Sequence, residues 1–191
     1  MRLDELRRDI IATEPGYRQC RRRHRYHQQM QVRLANLGDA EAIRTIYNGE
    51  VTGSTSTFDL VPRTLDDQVA WLRRHEGAHP AVVATDPDGT VLGFGSLSAF
   101  RDRPAYATTV ENSVYVDLAK RASGVGRALL EELIAQATQL GFHTMIARVV
   151  GDNEASLGLH KACGFELIGV EREIGRKFGH WLDCWVLQRM L

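Results

Sequence analysis

The sequence predicts an α/β layer fold, in which helices cover both faces of a mixed β-sheet. Segments with strand period and segments with helix period alternate in the order β-α-α-β-β-β-α-β-α-β-β. The turn "DPDG" (86–89) joins two β-like runs directly, which indicates an antiparallel hairpin. Helices separate the strands that follow, as in parallel βαβ units, so the sheet should contain both strand directions.

The first part of this pattern comprises a strand and two helices. "QVRLA" (31–35) has the composition of a short strand, and the helix after it is predicted to have Asp39 as its N-cap. "TGSTSTFDLVPR" (52–63) has neither period and is predicted to be a loop. Thr64 is expected to cap the second helix, which ends by Gly77.

The second part contains the remaining strands and two more helices. A helix from Val125 to Leu140 has one apolar face, on which Leu129, Leu133 and Leu140 are predicted to be buried. A shorter helix is predicted over 153–164. The predicted strands are 80–85, 91–100, 110–118, 143–150, 165–173 and 181–191.

The composition excludes several classes of function. The chain of 191 residues has zero formal net charge, which gives no overall signal for nucleic acid or an anionic membrane. No apolar run approaches the roughly 20 residues of a membrane span. The three cysteines lack metal-ligand spacing and the seven histidines form no H-E-x-x-H motif, so no metal is expected. A reducing, cytoplasmic setting is the expectation from this cysteine usage.

The N-terminal segment differs from the rest of the chain. Residues 1–30 hold eight arginines and four acidic residues, without the apolar core of a signal peptide. We expect a basic, poorly ordered extension before a domain over 31–191. An arm that binds nucleic acid is the less favoured alternative.

The stretch "KRASGVGRALL" (120–130) lies between a predicted strand and a predicted helix. It is not a Walker loop, because Gly126 precedes Arg127 rather than lysine, nor a dinucleotide fingerprint, because Leu129 replaces the third glycine. The remaining pattern is R-x-x-G-x-G at a helix N-terminus, where free backbone N–H groups and the helix dipole favour a phosphate. A tight turn that binds nothing is the alternative.

This pattern resembles the acyl-CoA pyrophosphate loop of the GCN5-related N-acetyltransferases (GNAT). "NEASLGLHKACGF" (153–165) is similar to the second cofactor helix of that family. "TVENSVYV" (109–116) and "GRKFGHWLD" (175–183) resemble motifs of its phosphinothricin and methionine sulfoximine N-acetyltransferase subfamily. The resemblance implies the GNAT fold, with a mostly antiparallel sheet that splays between the fourth and fifth strands. It also implies a homodimer and acetyl-CoA as the co-substrate.

The resemblance assigns the acetyl-CoA contacts to three segments. Ala122 stands where many relatives have another glycine, and we expect it to be tolerated only at negative φ. For Asn153 and Ser156 of the second cofactor helix, the alternative role is to cap that helix. The expected contacts are Val114, Tyr115 and Val116 of the strand, Arg121, Ala122, Ser123, Gly124, Val125, Gly126 and Arg127 of the loop, and Asn153 and Ser156 of the second helix.

Two residues are candidates for acid–base chemistry. Glu111 interrupts an apolar strand, where loss of water would raise its pKa, and the resemblance gives it the role of general base. A solvated glutamate at the strand edge is the alternative. His160 occupies the position of a tyrosine that protonates the leaving thiolate in many relatives. A purely structural hydrogen bond is the alternative for His160.

The acceptor site is expected to contain arginines and aromatic residues. Arg101 or Arg103, beside Tyr106, would bind a carboxylate, while Lys177, Trp181 and Phe58 would form walls; solvated arginines and core aromatic residues are the alternatives. The predicted function is acetyl-CoA-dependent N-acetylation of a small amino acid or analogue by direct transfer in a ternary complex. Methionine sulfoximine, phosphinothricin and methionine sulfone are the expected kinds of acceptor. An enzyme that acetylates protein N-termini or polyamines and a non-catalytic acyl-CoA-binding module remain alternatives.

Overall fold

The computed structural model describes residues 30–191, which form a seven-stranded sheet with helices on both faces. Apart from Met30, the extension predicted for residues 1–30 lies outside the described residues. The strands are β1 (Gln31–Leu34), β2 (Ala81–Thr85), β3 (Val91–Ala99), β4 (Thr109–Val116), β5 (Thr144–Val150), β6 (Glu166–Lys177) and β7 (His180–Met190). The helices are α1 (Ala40–Gly53), α2 (Leu65–Arg74), α3 (Val125–Gln139) and α4 (Glu154–Ala162), with short 3-10 turns between some elements.

The strand order is β1-β2-β3-β4-β5-β7-β6, and every neighbouring pair is antiparallel except β4 and β5. The predicted mixed sheet is therefore confirmed. The parallel pairing of β4 with β5 ends at Asn112 and Ala147. The last four residues of β4, 113–116, have no partner on β5, which confirms the predicted splay.

Each face of the sheet has its own hydrophobic cluster. On one face, α3 packs Leu129 and Leu133 against Val110 of β4. On the other face, α1 and α2 pack against an aromatic group that includes Phe94 and Tyr115. Because side chains alternate along a strand, Asn112 and Val114 point towards α3, whereas Glu111 and Tyr115 point towards the face of α1. Within residues 30–191, none of the helices has both the length and the apolar composition to cross a membrane.

The helix ends agree only in part with the sequence. Thr64 forms the predicted cap of α2, with its side chain accepting from the backbone N–H of Asp67. Asp39 is the N-cap residue of α1, as predicted, but its side chain makes no capping hydrogen bond, because its carboxylate binds Arg33 at 2.7 and 2.8 Å. Leu140 was also expected in the core but is 45% exposed, since α3 ends one residue before it.

Gly93 allows β3, β4 and α3 to approach closely behind the splay. A Cβ at this position would lie 2.8 Å from the carbonyl oxygen of Tyr115 and 3.1 Å from Val125. The backbone oxygen cannot move without breaking the ladder between β3 and β4. Gly49 of α1 gives a contrast, since a Cβ added there would have no heavy atom within 4 Å.

We expect Gly93→Ala to lower the free energy of unfolding by about 1–3 kcal/mol, because the added methyl overpacks the sheet. The matched variant Gly49→Ala should raise it by roughly 0.5–1 kcal/mol, since alanine is the better residue in an open helical position. Urea unfolding followed by circular dichroism measures both. Equal stability of the two variants would contradict this account of the close approach.

Candidate active site

A cleft of about 420 Å³ opens where β4 and β5 separate. Its walls come from the ends of these strands, the glycine loop, α4 and the last turn of α1. The structure thus brings together the three segments that the sequence predicted to bind the cofactor. The predicted residues that line the cleft are Val114, Tyr115, Val116, Arg121, Ala122, Gly124, Gly126, Arg127, Asn153, Ser156 and His160.

Two predicted contacts of the glycine loop have side chains occupied elsewhere. Val125, the first residue of α3, is 1% exposed and packs in the hydrophobic core. The hydroxyl of Ser123 donates to the carbonyl oxygen of Lys120. Any contact of Val125 with a ligand must therefore come from its backbone.

The glycine loop ends at the N-terminus of α3. Gly124 is the residue before the helix and has φ of 90°, a conformation that glycine adopts without steric cost. The first N–H groups of a helix have no partner within it, and they carry the positive end of the helix dipole. Arg121 and Arg127 line the same wall, where each is ion-paired with a glutamate, Arg121 with Glu50 and Arg127 with Glu131. This set of donors and charges fits a diphosphate.

Ala122 does not have the negative φ expected from the sequence. Its φ is 58°, in the left-handed region, so that expectation is wrong. A side chain in this region costs an L-residue roughly 1–2 kcal/mol, which the rest of the loop must offset. Ala122 therefore keeps the backbone shape that glycine would give, at the cost of local strain.

The β5-facing edge of residues 113–116 is open to the cleft, because the pairing of β4 with β5 has already ended. The backbone N–H and C=O groups on this edge are available to a ligand with amide groups. An extended chain could add to this edge as a further strand does. The pantetheine arm of a coenzyme A thioester has the required amides.

Glu111 is half-buried on β4, one residue before the cleft-lining Asn112. Burial raises the pKa of its carboxyl group; the guanidinium of Arg148 opposes this rise and the carboxylate of Glu171 adds to it. The direction is the one that a general base needs to work near neutral pH.

His160 is 4% exposed and is held at both ring nitrogens. Nδ1 lies 2.8 Å from the carbonyl oxygen of Ser156, and Nε2 lies 3.0 Å from Oδ1 of Asn112. Asn112 in turn donates from Nδ2 to the carbonyl oxygen of Ile146 at 3.1 Å. Burial lowers the pKa of His160, and a neutral imidazole has one proton for two acceptor oxygens. His160 thus ties α4 to the last paired residues of the splay.

The predicted acceptor arginines lie in the connection between β3 and β4. The guanidinium of Arg101 lies 4.7 Å from the ring centre of Phe100, which packs edge-on against Tyr106. Arg103 is exposed at the start of a short 3-10 turn. None of Arg101, Arg103 and Tyr106 is among the residues that line the cleft.

Lys177, the last residue of β6, holds the loop 52–63 by a hydrogen bond. It is 3% exposed, and Nζ lies 2.8 Å from the carbonyl oxygen of Thr57, to which it donates. The sequence predicts Lys177 as a wall of the acceptor pocket; its ammonium is used on the backbone of this loop, and Lys177 is not among the residues that line the cleft. In the same loop, Phe58 covers Gly175, where a Cβ would lie 2.8 Å from the ring. Trp181 is 60% exposed beside Arg176.

Glu50 and Arg148 also line the cleft, and neither was predicted from the sequence. Glu50 is buried, accepts hydrogen bonds from Arg121 and Ser54, and follows Ile43 and Ile46 at helical spacing on the apolar face of α1. Arg148 interrupts the apolar run of β5 and is ion-paired with Glu171. A charge within an apolar period was the available signal in both cases.

Comparison with known proteins gives concordant matches. The family model described as acetyltransferase (GNAT) domain matches residues 32–186. The L-methionine sulfoximine/L-methionine sulfone acetyltransferase of Pseudomonas aeruginosa is 39% identical over 158 residues, which are 82% of this chain and 92% of that protein. A phosphinothricin N-acetyltransferase of Streptomyces coelicolor is 36% identical over 166 residues, 85% of this chain and 97% of that protein.

A similar solved structure is that of a GNAT superfamily phosphinothricin acetyltransferase from Sinorhizobium meliloti in complex with AcCoA. It superposes with a TM-score of 0.82 at 38% identity, over 85% of this chain and 89% of that chain. These matches confirm the resemblance found in the motifs.

The strain at Ala122 can be tested with two substitutions. Ala122→Gly should leave acetyl-CoA affinity and stability nearly unchanged, because relief of the left-handed strain is offset by the greater freedom of glycine when unfolded. Ala122→Val should weaken acetyl-CoA binding at least several-fold, since a β-branched residue rarely adopts this conformation. Calorimetric titration measures both. Equal affinities in the two variants would contradict the conformation given for the loop.

Proposed function

This chain belongs to the acetyltransferase (GNAT) family, and we propose that it acetylates the α-amine of a small amino acid or amino acid analogue. One observation carries the proposal: the helix N-terminus of the glycine loop and the open edge of β4 face one cleft, beside a glutamate with raised pKa. The names of the relatives support methionine sulfoximine, methionine sulfone and phosphinothricin as kinds of acceptor.

We propose that the two sides of the cleft hold different parts of acetyl-CoA. The N–H groups of Gly124, Gly126 and their neighbours hold the diphosphate, with Arg121 and Arg127 nearby. The open edge formed by Val114, Tyr115 and Val116 pairs with the pantetheine amides. A backbone N–H of this edge donates to the thioester oxygen and stabilises negative charge there. Asn153 and Ser156 at the start of α4 contact the same arm.

Glu111 acts as the general base in this proposal. Its carboxylate takes a proton from the acceptor ammonium, directly or through one water, and the free amine attacks the thioester carbonyl. The new C–N bond forms and the C–S bond breaks; the attacking nitrogen gives up its second proton and the leaving thiolate takes up one, so that one proton in all is released, from Glu111 to solvent. We propose His160 as the donor to the thiolate: Nε2, which lies 3.0 Å from Oδ1 of Asn112, turns to the sulfur, and the imidazole recovers its proton from the attacking nitrogen.

The acceptor is proposed to bind at the Glu111 end of β4. The β3–β4 connection precedes this end and carries Arg101 and Arg103, either of which suits an α-carboxylate. We propose Tyr106, Phe58 and Trp181 as contacts for the rest of the acceptor. Lys177 contributes indirectly, since it fixes the loop that carries Phe58. We propose that this small-molecule site works without a metal; within residues 30–191, no group of three or more His, Cys, Asp or Glu side chains could hold one.

Glu111→Gln should keep acetyl-CoA affinity and lose about 10²–10⁴-fold in kcat at pH 7, the usual contribution of a general base. In the unaltered enzyme, kcat/KM should fall as pH decreases through the raised pKa of Glu111, because the protonated carboxyl cannot accept a proton. A thiol-release assay with acetyl-CoA over free amino acids, methionine sulfone, phosphinothricin, polyamines and short peptides measures activity and acceptor class together.

Glu166→Gln is the matched control, since Glu166 is an exposed glutamate on β6. Near-normal turnover of Glu111→Gln would remove this residue from the mechanism. A preference for polyamines or peptides would replace the proposed acceptor class. Absence of any heat from acetyl-CoA at millimolar concentration would overturn the cofactor site itself.

We further propose a homodimer that works in the cytoplasm. The long edge strand β6 exposes large apolar side chains at an unpaired sheet edge, a surface that favours association. The free, buried thiols of Cys163 and Cys184 suit a reducing compartment. The exposed apolar residues of β6 are Leu167, Ile168, Val170 and Ile174.

The double variant Ile168→Lys/Ile174→Lys should sediment as a monomer, whereas the unaltered chain should sediment as a dimer at micromolar concentration. Two lysines place like charges opposite each other across a two-fold interface and remove apolar contact area. Val61→Lys, at a 76% exposed position of the loop 52–63, is the control and should leave the dimer intact. A monomeric unaltered chain would contradict the proposal.

A further inference from the structure

A row of charged side chains crosses the sheet beside Glu111. Arg148 of β5 forms an ion pair with Glu171 of β6, and the side chains are 37% and 35% exposed. Neither residue carries a role in the transfer described above. Both lie on the acceptor side of the splay, and Arg148 also lines the cleft.

Strand register places these residues on the same face as Glu111. Glu111 is opposite Ile146, and Arg148 lies two residues farther along β5, so its side chain leaves the sheet on the same side. Arg148 is opposite Val186 of β7, and Glu171 is opposite Cys184, also of β7. The ion pair therefore reaches diagonally over β7, just beyond the last pairing of β4 with β5.

We infer that Arg148 and Glu171 are positioning residues for catalysis: their ion pair, built from β5 and β6, holds a single guanidinium on the same face of the sheet as Glu111 and so sets the charge around the base. The inference rests on the proposed function, since it assumes that Glu111 is the base. It adds two residues on other strands to the machinery of proton transfer, without requiring either to touch the reacting atoms.

The electrostatic neighbours of Glu111 agree with this geometry. Burial raises the pKa of Glu111, Arg148 lowers it, and Glu171 raises it further. β7 also contributes the thiol of Cys184, whose pKa is raised by burial, and β3 contributes Ser98, opposite Glu111 in the ladder; the β3–β4 connection carries the two arginines already described. The two charged groups that shift the pKa of Glu111 therefore lie on β5 and β6, and they shift it in opposite directions.

The arrangement serves two requirements that conflict at a single glutamate. A base must be ionised at working pH, which the positive charge of Arg148 favours, and it must also bind a proton well, which burial and Glu171 favour. With both carboxylates ionised, the three groups have a net charge of about −1, which attracts a protonated amine. Glu171 also holds the guanidinium in place, so that Arg148 cannot neutralise Glu111 by pairing with it directly.

The test is a comparison of pH profiles of kcat/KM for Arg148→Gln and Glu171→Gln. Loss of Arg148 removes the charge that favours ionised Glu111, so the acidic limb should move to higher pH by about half a unit or more. Loss of Glu171 removes a repelling charge and releases Arg148 towards Glu111, so the limb should move to lower pH. Shifts of opposite sign are the expected result; a general loosening of the fold would not produce them.

Three controls separate this result from other causes. Arg148→Lys keeps the positive charge and should retain the original limb. Arg172→Gln, at the exposed neighbour of Glu171 along β6, and Glu166→Gln, at the exposed first residue of β6, should leave the limb in place. The heat of acetyl-CoA binding verifies that each variant is folded. Titration of the Glu111 side-chain carbon by NMR follows the same pKa without any turnover.

The outcomes distinguish the inference from the proposed function. The inference is overturned if the acidic limb of the pH profile stays in place in both single variants, or moves in the same direction in both. This holds even where Glu111→Gln is inactive. Full activity of Glu111→Gln overturns the proposed base, and the NMR titration still decides whether Arg148 and Glu171 control the carboxyl. If Arg148→Gln fails to fold, Glu171→Gln and Arg148→Lys give the same decision.

Discussion

Parallel pairing of β4 with β5 stops after Asn112 and Ala147, and the geometry of the site depends on that stop. Beyond it, the two strands diverge and leave backbone groups of β4 facing a cleft rather than a neighbouring strand. Asn112 occupies the point of divergence, where its side chain donates to Ile146 of β5 and lies within hydrogen-bond distance of His160. These contacts satisfy buried polar groups that would otherwise be unpaired at the end of the ladder.

The splay also separates two electrostatic environments. On the α3 side, the helix N-terminus and the cations of the glycine loop suit an anion. On the opposite face of the sheet, the two carboxylates of Glu111 and Glu171 outnumber the single guanidinium of Arg148, so this side suits a cation. A thioester anchored by its phosphates and an amine that arrives protonated would therefore meet across a single strand. Alternation of side chains along β4 is what assigns the two environments to opposite faces.

Polar contacts connect α1 and the loop 52–63 to this frame. Glu50 joins the end of α1 to Arg121 of the glycine loop, and Lys177 of β6 donates to Thr57 in the loop 52–63. Thr55 donates to Asp152, two residues before α4, in an exposed contact. The loop 52–63, which has no regular structure, is thus held by partners on β6 and before α4. Because these partners are far apart along the chain, a change in either of them can alter the shape of this loop.

Local patterns in the sequence were sufficient for the elements, the mixed sheet and the glycine loop. Period, capping residues and turn residues act over a few positions, so Thr64 and the R-x-x-G-x-G spacing could be interpreted without knowledge of distant contacts. Asp39 shows the limit of this reasoning: it is the N-cap residue of α1, but its side chain makes no capping hydrogen bond. Its local pattern is that of a cap, but Arg33 of β1 competes for the carboxylate.

By itself, the sequence determined the fold class, the family and the segments that surround the cleft, because each of these depends on the spacing of residues that are close together along the chain. The tertiary structure decided the left-handed conformation of Ala122, the use of Lys177 on a backbone carbonyl, and the presence of Glu50 and Arg148 at the cleft. Those outcomes depend on which groups meet across strands and helices. The free energies of burial and charge pairing are set by such long-range contacts, which no local spacing specifies.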